Sequence, residues 1–274
     1  MKIMWKDKFA EKDKIVNWIK EWFTENGDSK TKAVIGISGG KDSTVATALC
    51  VEALGRDRVI GVLMPNSEQS DFKDAMKVVQ LFGIKHYVID IGNTVDTLYE
   101  TIADSMNINS GSLDDNVIVN TPPRIRMTVL YAVAANFGNA RVICTDNASE
   151  SYIGYSTKYG DLAGDVAPLA DIPASLVVDL GRAFALSYNI PALLPLVEKT
   201  PSDGLCGKTD EDALGFTYEQ LDNYLFNNEI EYGDAYDKIV SRHKRNLHKE
   251  CIMLPRYKAI IKSNIEDDTI LVET

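Results

Sequence analysis

Cysteine and histidine are scarce in this chain of 274 residues, which has four of the first and three of the second. Cys50, Cys144, Cys206 and Cys251 lie far apart, none forms a CxxC pair, and no zinc spacing exists. Those absences leave scattered free thiols of a reducing compartment. Basic charge is also short, with 29 Lys and Arg against 40 Asp and Glu and a net charge of −11. So acidic a chain is poorly suited to non-specific binding of nucleic acid or an anionic membrane. No apolar run approaches the roughly 20 residues that a membrane helix needs. The stretch from Met1 to Glu21 is charged and amphipathic, without the apolar centre of a signal peptide. A cytoplasmic protein is expected. A core is present, since 45% of the residues are hydrophobic. That suits a single domain over residues 1–274.

Helical spacing of Phe9, Ile15, Trp18, Ile19 and Phe23 marks a first helix over 8–25. Strand-like runs follow at 33–37, 59–64, 86–91 and 141–145, with helical patterns between them at 43–54, 71–82, 93–105 and 124–137. This alternation predicts an α/β fold, a twisted and mostly parallel sheet flanked by helices. Ligands in such sheets bind beyond the carboxyl ends of the strands. Segments 155–172 and 200–212, rich in Gly, Asp and Pro or Ser, read as long functional loops. Helices resume at 173–187, 217–226 and 233–248.

The densest chemistry lies after the first of these strands. Gly36-Ile37-Ser38-Gly39-Gly40-Lys41-Asp42-Ser43 breaks a β-branched run with two glycines and opens a helix. Glycines let the backbone turn tightly and approach a ligand without a Cβ in the way. Hydroxyls and N–H groups at a helix N-terminus favour anions. The spacing is not that of the Walker A loop. Asp42 would repel phosphates unless a divalent cation lay between. Glu150, in Thr145-Asp146-Asn147-Ala148-Ser149-Glu150 after another strand end, is its candidate partner.

Ser38-Gly39-Gly40-Lys41-Asp42-Ser43 resembles the SGGxDS pyrophosphate loop of the N-type ATP pyrophosphatases. Further motifs narrow the resemblance. Thr145 to Glu150, Thr157-Lys158-Tyr159-Gly160-Asp161, Gly164-Asp165 and Pro168-Leu169 follow one another in order. So do Asn120-Thr-Pro-Pro-Arg124-Ile-Arg126, Lys199-Thr-Pro-Ser202-Asp-Gly-Leu205 and His243-Lys244-Arg245. Together they are similar to the core of ammonia-dependent NAD+ synthetases over about residues 8 to 258.

The resemblance implies an adenine nucleotide α-hydrolase-like, Rossmann-like sheet. It implies ATP-dependent amidation of deamido-NAD+ by ammonia, giving NAD+, AMP and pyrophosphate through an adenylate. Gly36, Ile37, Ser38, Gly39, Gly40, Lys41, Asp42 and Ser43 would hold ATP together with Gln69, Thr145 and Ser202. Asp42 and Glu150 would hold Mg2+. Arg124, Lys158, Asp165, His243 and Lys244 would hold the deamido-NAD+, with Lys41, Asp42, Lys158 and Asp165 nearest the chemistry. Lys199 and Asp161 are candidates for function or for ordinary structure alike. A homodimer with the dinucleotide across its interface is also implied, with free ammonia as donor because no amidase domain fits the length.

Two positions depart from the family pattern. Leu63 stands where an arginine is common, and Ala174 where a lysine is common. The alternatives are another SGGxDS enzyme, acting on a purine nucleotide or tRNA, and a nucleotide-binding protein without catalysis.

Overall fold

The computed structural model describes residues 2–67, 71–200, 209–226, 233–249, 254–257, 265–266 and 269–272. The chain opens with strand β1 (Lys2–Trp5), helix α1 (Lys8–Glu25), strand β2 (Lys32–Gly36) and helix α2 (Lys41–Leu54). Strand β3 (Val59–Leu63), helix α3 (Phe72–Phe82), strand β4 (Lys85–Val88) and helix α4 (Gly92–Met106) follow. Helix α5 (Asp115–Asn136) leads to strand β5 (Ala140–Ile143) and helix α6 (Ala148–Ile153). Then come helices α7 (Ala174–Ser187), α8 (Leu194–Val197), α9 (Asp210–Leu214), α10 (Tyr218–Phe226) and α11 (Asp234–Asn246). Strands β6 (Ile265–Glu266) and β7 (Thr269–Val272) come last.

The main sheet has the order β4-β3-β2-β5 with every pairing parallel. The chain steps outward from β2 through β3 to β4, then returns across the sheet to pair β5 with the free side of β2. Strand order therefore reverses between β2 and β5. An α/β sheet opens its ligand crevice at the carboxyl ends of two such strands. The loop after β2 begins at Ile37, and the Thr145–Glu150 segment follows β5, so both flank that crevice.

Strand alternation distributes the core. Ala33 and Ile35 face one side with Val45, Leu49, Val78, Leu176 and Phe184 of α2, α3 and α7. Val34, Ile60, Val62 and Val142 face the other, against α4 and α5. Strand β3 is buried throughout, whereas the edge strand β4 is mostly exposed.

Helix α5 starts well before residue 124, although Pro122 and Pro123 lie inside it. A proline lacks the N–H that would serve the carbonyl four residues earlier. The hydroxyl of Tyr99 donates to the Ile118 carbonyl at 2.9 Å and takes over the bond that Pro122 cannot make. That contact reaches across from α4, so the local sequence does not show it.

A second sheet, β1-β7-β6, was not expected. Strand β1 pairs parallel with β7, and β6 pairs antiparallel with β7. Four residues at the chain start carry no periodicity signal; a partner more than 260 positions away makes them a strand. Trp5 is buried, and its indole N–H donates to the Leu176 carbonyl at 3.2 Å, which ties β1 to α7.

Among the described residues, no helix is long and apolar enough to cross a membrane. Cys50 and Cys144 are free and buried, and Cys206 and Cys251 lie outside the described residues.

Candidate active site

The loop after β2 is shaped by contact with α3. Gly39 has φ +86, and a Cβ there would lie 2.6 Å from the Ala75 nitrogen. Both the backbone conformation and the close approach require glycine. Gly39→Ala should cost roughly 2–4 kcal/mol, as strain and overlap add. Gly138, also at positive φ but with nothing near its absent Cβ, should cost only about 1 kcal/mol on the same change. Urea unfolding of the two variants measures the difference, and equal losses would mean that the α3 contact is unimportant.

Within the loop, hydroxyls close a small ring. The Ser43 Oγ accepts from the Ser38 N–H at 3.3 Å and lies 3.1 Å from the Ser38 Oγ. The Ser38 Oγ accepts from the Gly40 N–H at 3.2 Å. Across the crevice, Asn147 caps α6 by accepting the Glu150 N–H at 3.0 Å. Its amide donates to Asp42 Oδ1, also at 3.0 Å. One asparagine thus fixes two acids from two strand ends. The Lys41 ammonium lies between them, 2.7 Å from Asp42 Oδ2 and 3.4 Å from Glu150 Oε1. The Tyr218 hydroxyl lies 3.4 Å from the same Glu150 oxygen and 3.3 Å from Asp210 Oδ2.

Burial dominates the electrostatics here. It raises the Glu150 carboxyl to about 8, with the Asp42 charge adding and Lys41 opposing. Burial pulls the Lys41 ammonium down, but Asp42 and Glu150 more than offset it and the net direction is up. Asp146 rises to about 6, mainly by burial, although the hydroxyls of Ser151 and Ser156 hydrogen-bond its carboxylate. Asp161, accepting from the Thr157 N–H at 3.0 Å, is also pushed up by burial.

Two cavities open on this cluster. The smaller, about 320 Å³, is lined by the loop residues Gly36, Ile37, Ser38, Gly40, Lys41 and Asp42. Thr145, Glu150 and Lys199 also line it. The larger, about 750 Å³, runs from Ser38, Asp42 and Ser43 to a basic rim of Arg242, Arg245 and Lys249. Ser38, Gly40, Asp42, Arg126, Thr145 and Glu150 line both. Asp42 and Glu150 lie at the shared wall with Arg126. Lys41 and Lys199 line the smaller cavity, and Arg242, Arg245 and Lys249 line the far side of the larger.

Asp42 and Glu150 could hold a hard divalent cation, because their oxygens already converge on one positive charge. Among the described residues no set of three or more His, Cys, Asp or Glu side chains converges on a point, so further ligands would come from substrate and water. Leu63 is buried at the end of β3 and lines the smaller cavity. Ala174 is buried too, its N–H donating to the Ser149 Oγ at 2.9 Å.

Several expected residues lie elsewhere. Gln69 and Ser202 fall outside the described residues. Arg124, Lys158, Asp165, His243 and Lys244 line neither cavity. Arg124 is exposed, with Nε donating to the Lys158 carbonyl at 3.3 Å. Lys158 Nζ donates to the His248 carbonyl at 2.8 Å. The Asp165 carboxylate accepts the Val142 N–H at 2.7 Å, on the edge of β5. His243 stacks on Tyr152 at 3.9 Å, and Lys244 is exposed on α11. The arginines that do reach the cavities are two residues on from Arg124 and at either side of the His243-Lys244 pair. Arg126 Nε donates to the Met64 carbonyl at 3.1 Å. Arg126 shares α5 with Arg124, and Arg242 and Arg245 share α11 with His243 and Lys244; helical phase decides which side chains of those helices turn inward.

This architecture has close relatives. The family model described as NAD synthase matches residues 11–258. The NH(3)-dependent NAD(+) synthetase of Pyrococcus furiosus is 40% identical over 215 residues, 78% of this chain and 77% of that protein. The enzyme of that name from Finegoldia magna is 37% identical over 86% of this chain and 92% of its own. Among solved structures, the NMN synthetase of Francisella tularensis is 33% identical with a TM-score of 0.76, covering 90% of this chain and 98% of its own. The NH3-dependent NAD synthetase of Campylobacter jejuni is 26% identical with a TM-score of 0.69, covering 90% and 97%. With the loop, the acid pair and the four-stranded parallel sheet, these likenesses show that the chain belongs to the NAD synthase family.

Proposed function

We propose that this protein is an ammonia-dependent NAD+ synthetase, a ligase that amidates deamido-NAD+ at the expense of ATP. The observation that carries this reading is the wall shared by two cavities. A ligase must bring two anionic substrates to one point, and Ser38, Asp42, Thr145 and Glu150 border both spaces.

In this reading ATP occupies the smaller cavity with its phosphates at Ser38–Ser43. The acceptor occupies the larger one, its phosphates towards Arg242, Arg245 and Lys249. Guanidinium and ammonium groups suit phosphate oxygens. The nicotinate carboxylate attacks the α-phosphorus, the bond to the bridging oxygen breaks, and pyrophosphate leaves. Ammonia then attacks the acyl-adenylate carbonyl, AMP leaves with the bonding pair, and the surplus proton passes to solvent or a nearby carboxylate. Arg126, common to both cavities, is placed to hold the two substrates in line. Asp42 and Glu150 would hold Mg2+, which supplies charge neutralisation on the leaving phosphates. No nucleophilic side chain is required, and orientation with fixed electrostatics supplies the rate.

Arg124, Lys158, Asp165, His243 and Lys244 keep their place in the proposal through a second copy of the chain. A homodimer with the dinucleotide across its interface would bring exposed groups such as Arg124 and Lys244 to substrate. One domain over residues 1–274 and a cytoplasmic location complete the reading.

A second reading has its own support, since the Francisella tularensis NMN synthetase is the more similar of the two solved structures cited. The acceptor would then be the mononucleotide acid. Incubation with ATP, Mg2+ and ammonium, offering deamido-NAD+ or nicotinate mononucleotide, separates the two. NAD+ and AMP from the dinucleotide are expected, with glutamine failing to replace ammonium. Preference for the mononucleotide would move the assignment to NMN synthesis, and no AMP from either would remove it.

A further inference from the structure

We infer that Lys41 is an internal counter-cation that competes with a divalent metal for Asp42 and Glu150, so that metal is held firmly only when a nucleotide takes the lysine in exchange. This rests on the reading of those two acids as the metal site.

Lys41 is in an unfavourable place on every count but one. It is the first residue of α2, where the helix dipole disfavours a cation. Its side chain is only 6% exposed, so the ammonium has lost most of its water. What keeps it there is the acid pair, 2.7 Å away at Asp42 and 3.4 Å away at Glu150, with the Tyr218 ring 5.2 Å below. Those are the oxygens a metal ion would use. A divalent ion cannot share them with an ammonium in so buried a crevice, because like charges at such distances repel strongly. Binding of the ion must therefore expel the lysine. Lys41 also lines the smaller cavity, so the expelled ammonium turns towards the space assigned to the phosphates. With phosphate present, the exchange gives both cations an anionic partner. Without it, the lysine would have to leave its acids for nothing.

Mn2+ alone is the probe, titrated by electron paramagnetic resonance without and with a non-hydrolysable ATP analogue. Lys41→Met should bind Mn2+ roughly tenfold or more tightly than wild type without nucleotide, from the lost competition of one full charge. Lys41→Arg should stay near wild type, because it keeps the charge. The analogue should narrow the gap between Lys41→Met and wild type. Equal or weaker affinity in Lys41→Met overturns the inference. If Mn2+ binding is unaffected by Asp42→Asn, the metal-site reading itself fails, and the two failures are distinct. Should Lys41→Met not fold, acetic anhydride labelling of wild type decides. Saturating Mn2+ should raise acetylation of Lys41, and unchanged protection at saturation rejects the exchange.

Discussion

Asp42→Asn should lower Mg2+-dependent turnover roughly a thousandfold or more, because a metal ion supplies several kcal/mol of transition-state charge stabilisation. It should do so with little change in stability. Without the Asp42 charge, Glu150 ionises more readily beside Lys41, so the cluster keeps one charge of each sign. Lys41 keeps Glu150, and the amide at position 42 still fits beside Asn147. The melting temperature should therefore stay within about 3 °C of wild type. The pH response should move as well. Burial, with the Asp42 charge next, raises the Glu150 carboxyl to about 8. A carboxyl must lose its proton to ligate a metal, so in wild type metal affinity weakens as pH falls through about 8. Without the Asp42 charge, Glu150 ionises at lower pH and the loss is displaced to more acid conditions. Near-native turnover in the variant would show that Asp42 does not hold the metal. An unmoved pH dependence would show that the two acids do not sense each other.

Much of the fold could be read from the sequence because its elements are local. The strands at 32–36 and 59–63 announce themselves by β-branched runs, and their helices by apolar spacing. The loop after β2 was legible for the same reason: two glycines between a β-branched run and a helix mark a tight turn, and Gly39 adopts a positive φ there. Long-range contacts were not legible. Strand β1 exists through β7, and the start of α5 tolerates Pro122 because Tyr99 serves Ile118 from another helix. The site divides along the same line. Asp42 and Glu150 follow strand ends, so topology alone brings them together. On α5 and α11 the motif residues Arg124, His243 and Lys244 were visible, but which face turns inward depends on how the helix packs. Arg126 and Arg245 stood inside those motifs and Arg242 beside one, but that these three line the cavities became apparent only when that packing was seen.

Among those residues Arg242 should have the largest effect on acceptor binding. Its guanidinium lies over the Tyr155 ring at 5.2 Å, and its Nε is buried with no hydrogen-bond partner. Burial, and then the charge of Arg245, pull its ionisation range down. Lys249 is lowered too, first by burial and then by Arg242. Three cations held near one another in a chain of net charge −11 destabilise the fold unless they serve an anion. Arg242→Met keeps the stem against Tyr155 and removes the charge and its donors. A charge-assisted hydrogen bond contributes about 1.5–3 kcal/mol, so KM for deamido-NAD+ should rise roughly 10- to 100-fold. KM for ATP should change less than about twofold, because Arg242 lines only the larger cavity. The melting temperature should hold or rise, since one repulsive charge is gone. A residue that merely supports the fold would give the reverse pattern, a lower melting temperature with both KM values altered together. Steady-state kinetics with each substrate varied in turn, beside a thermal melt, decides between them.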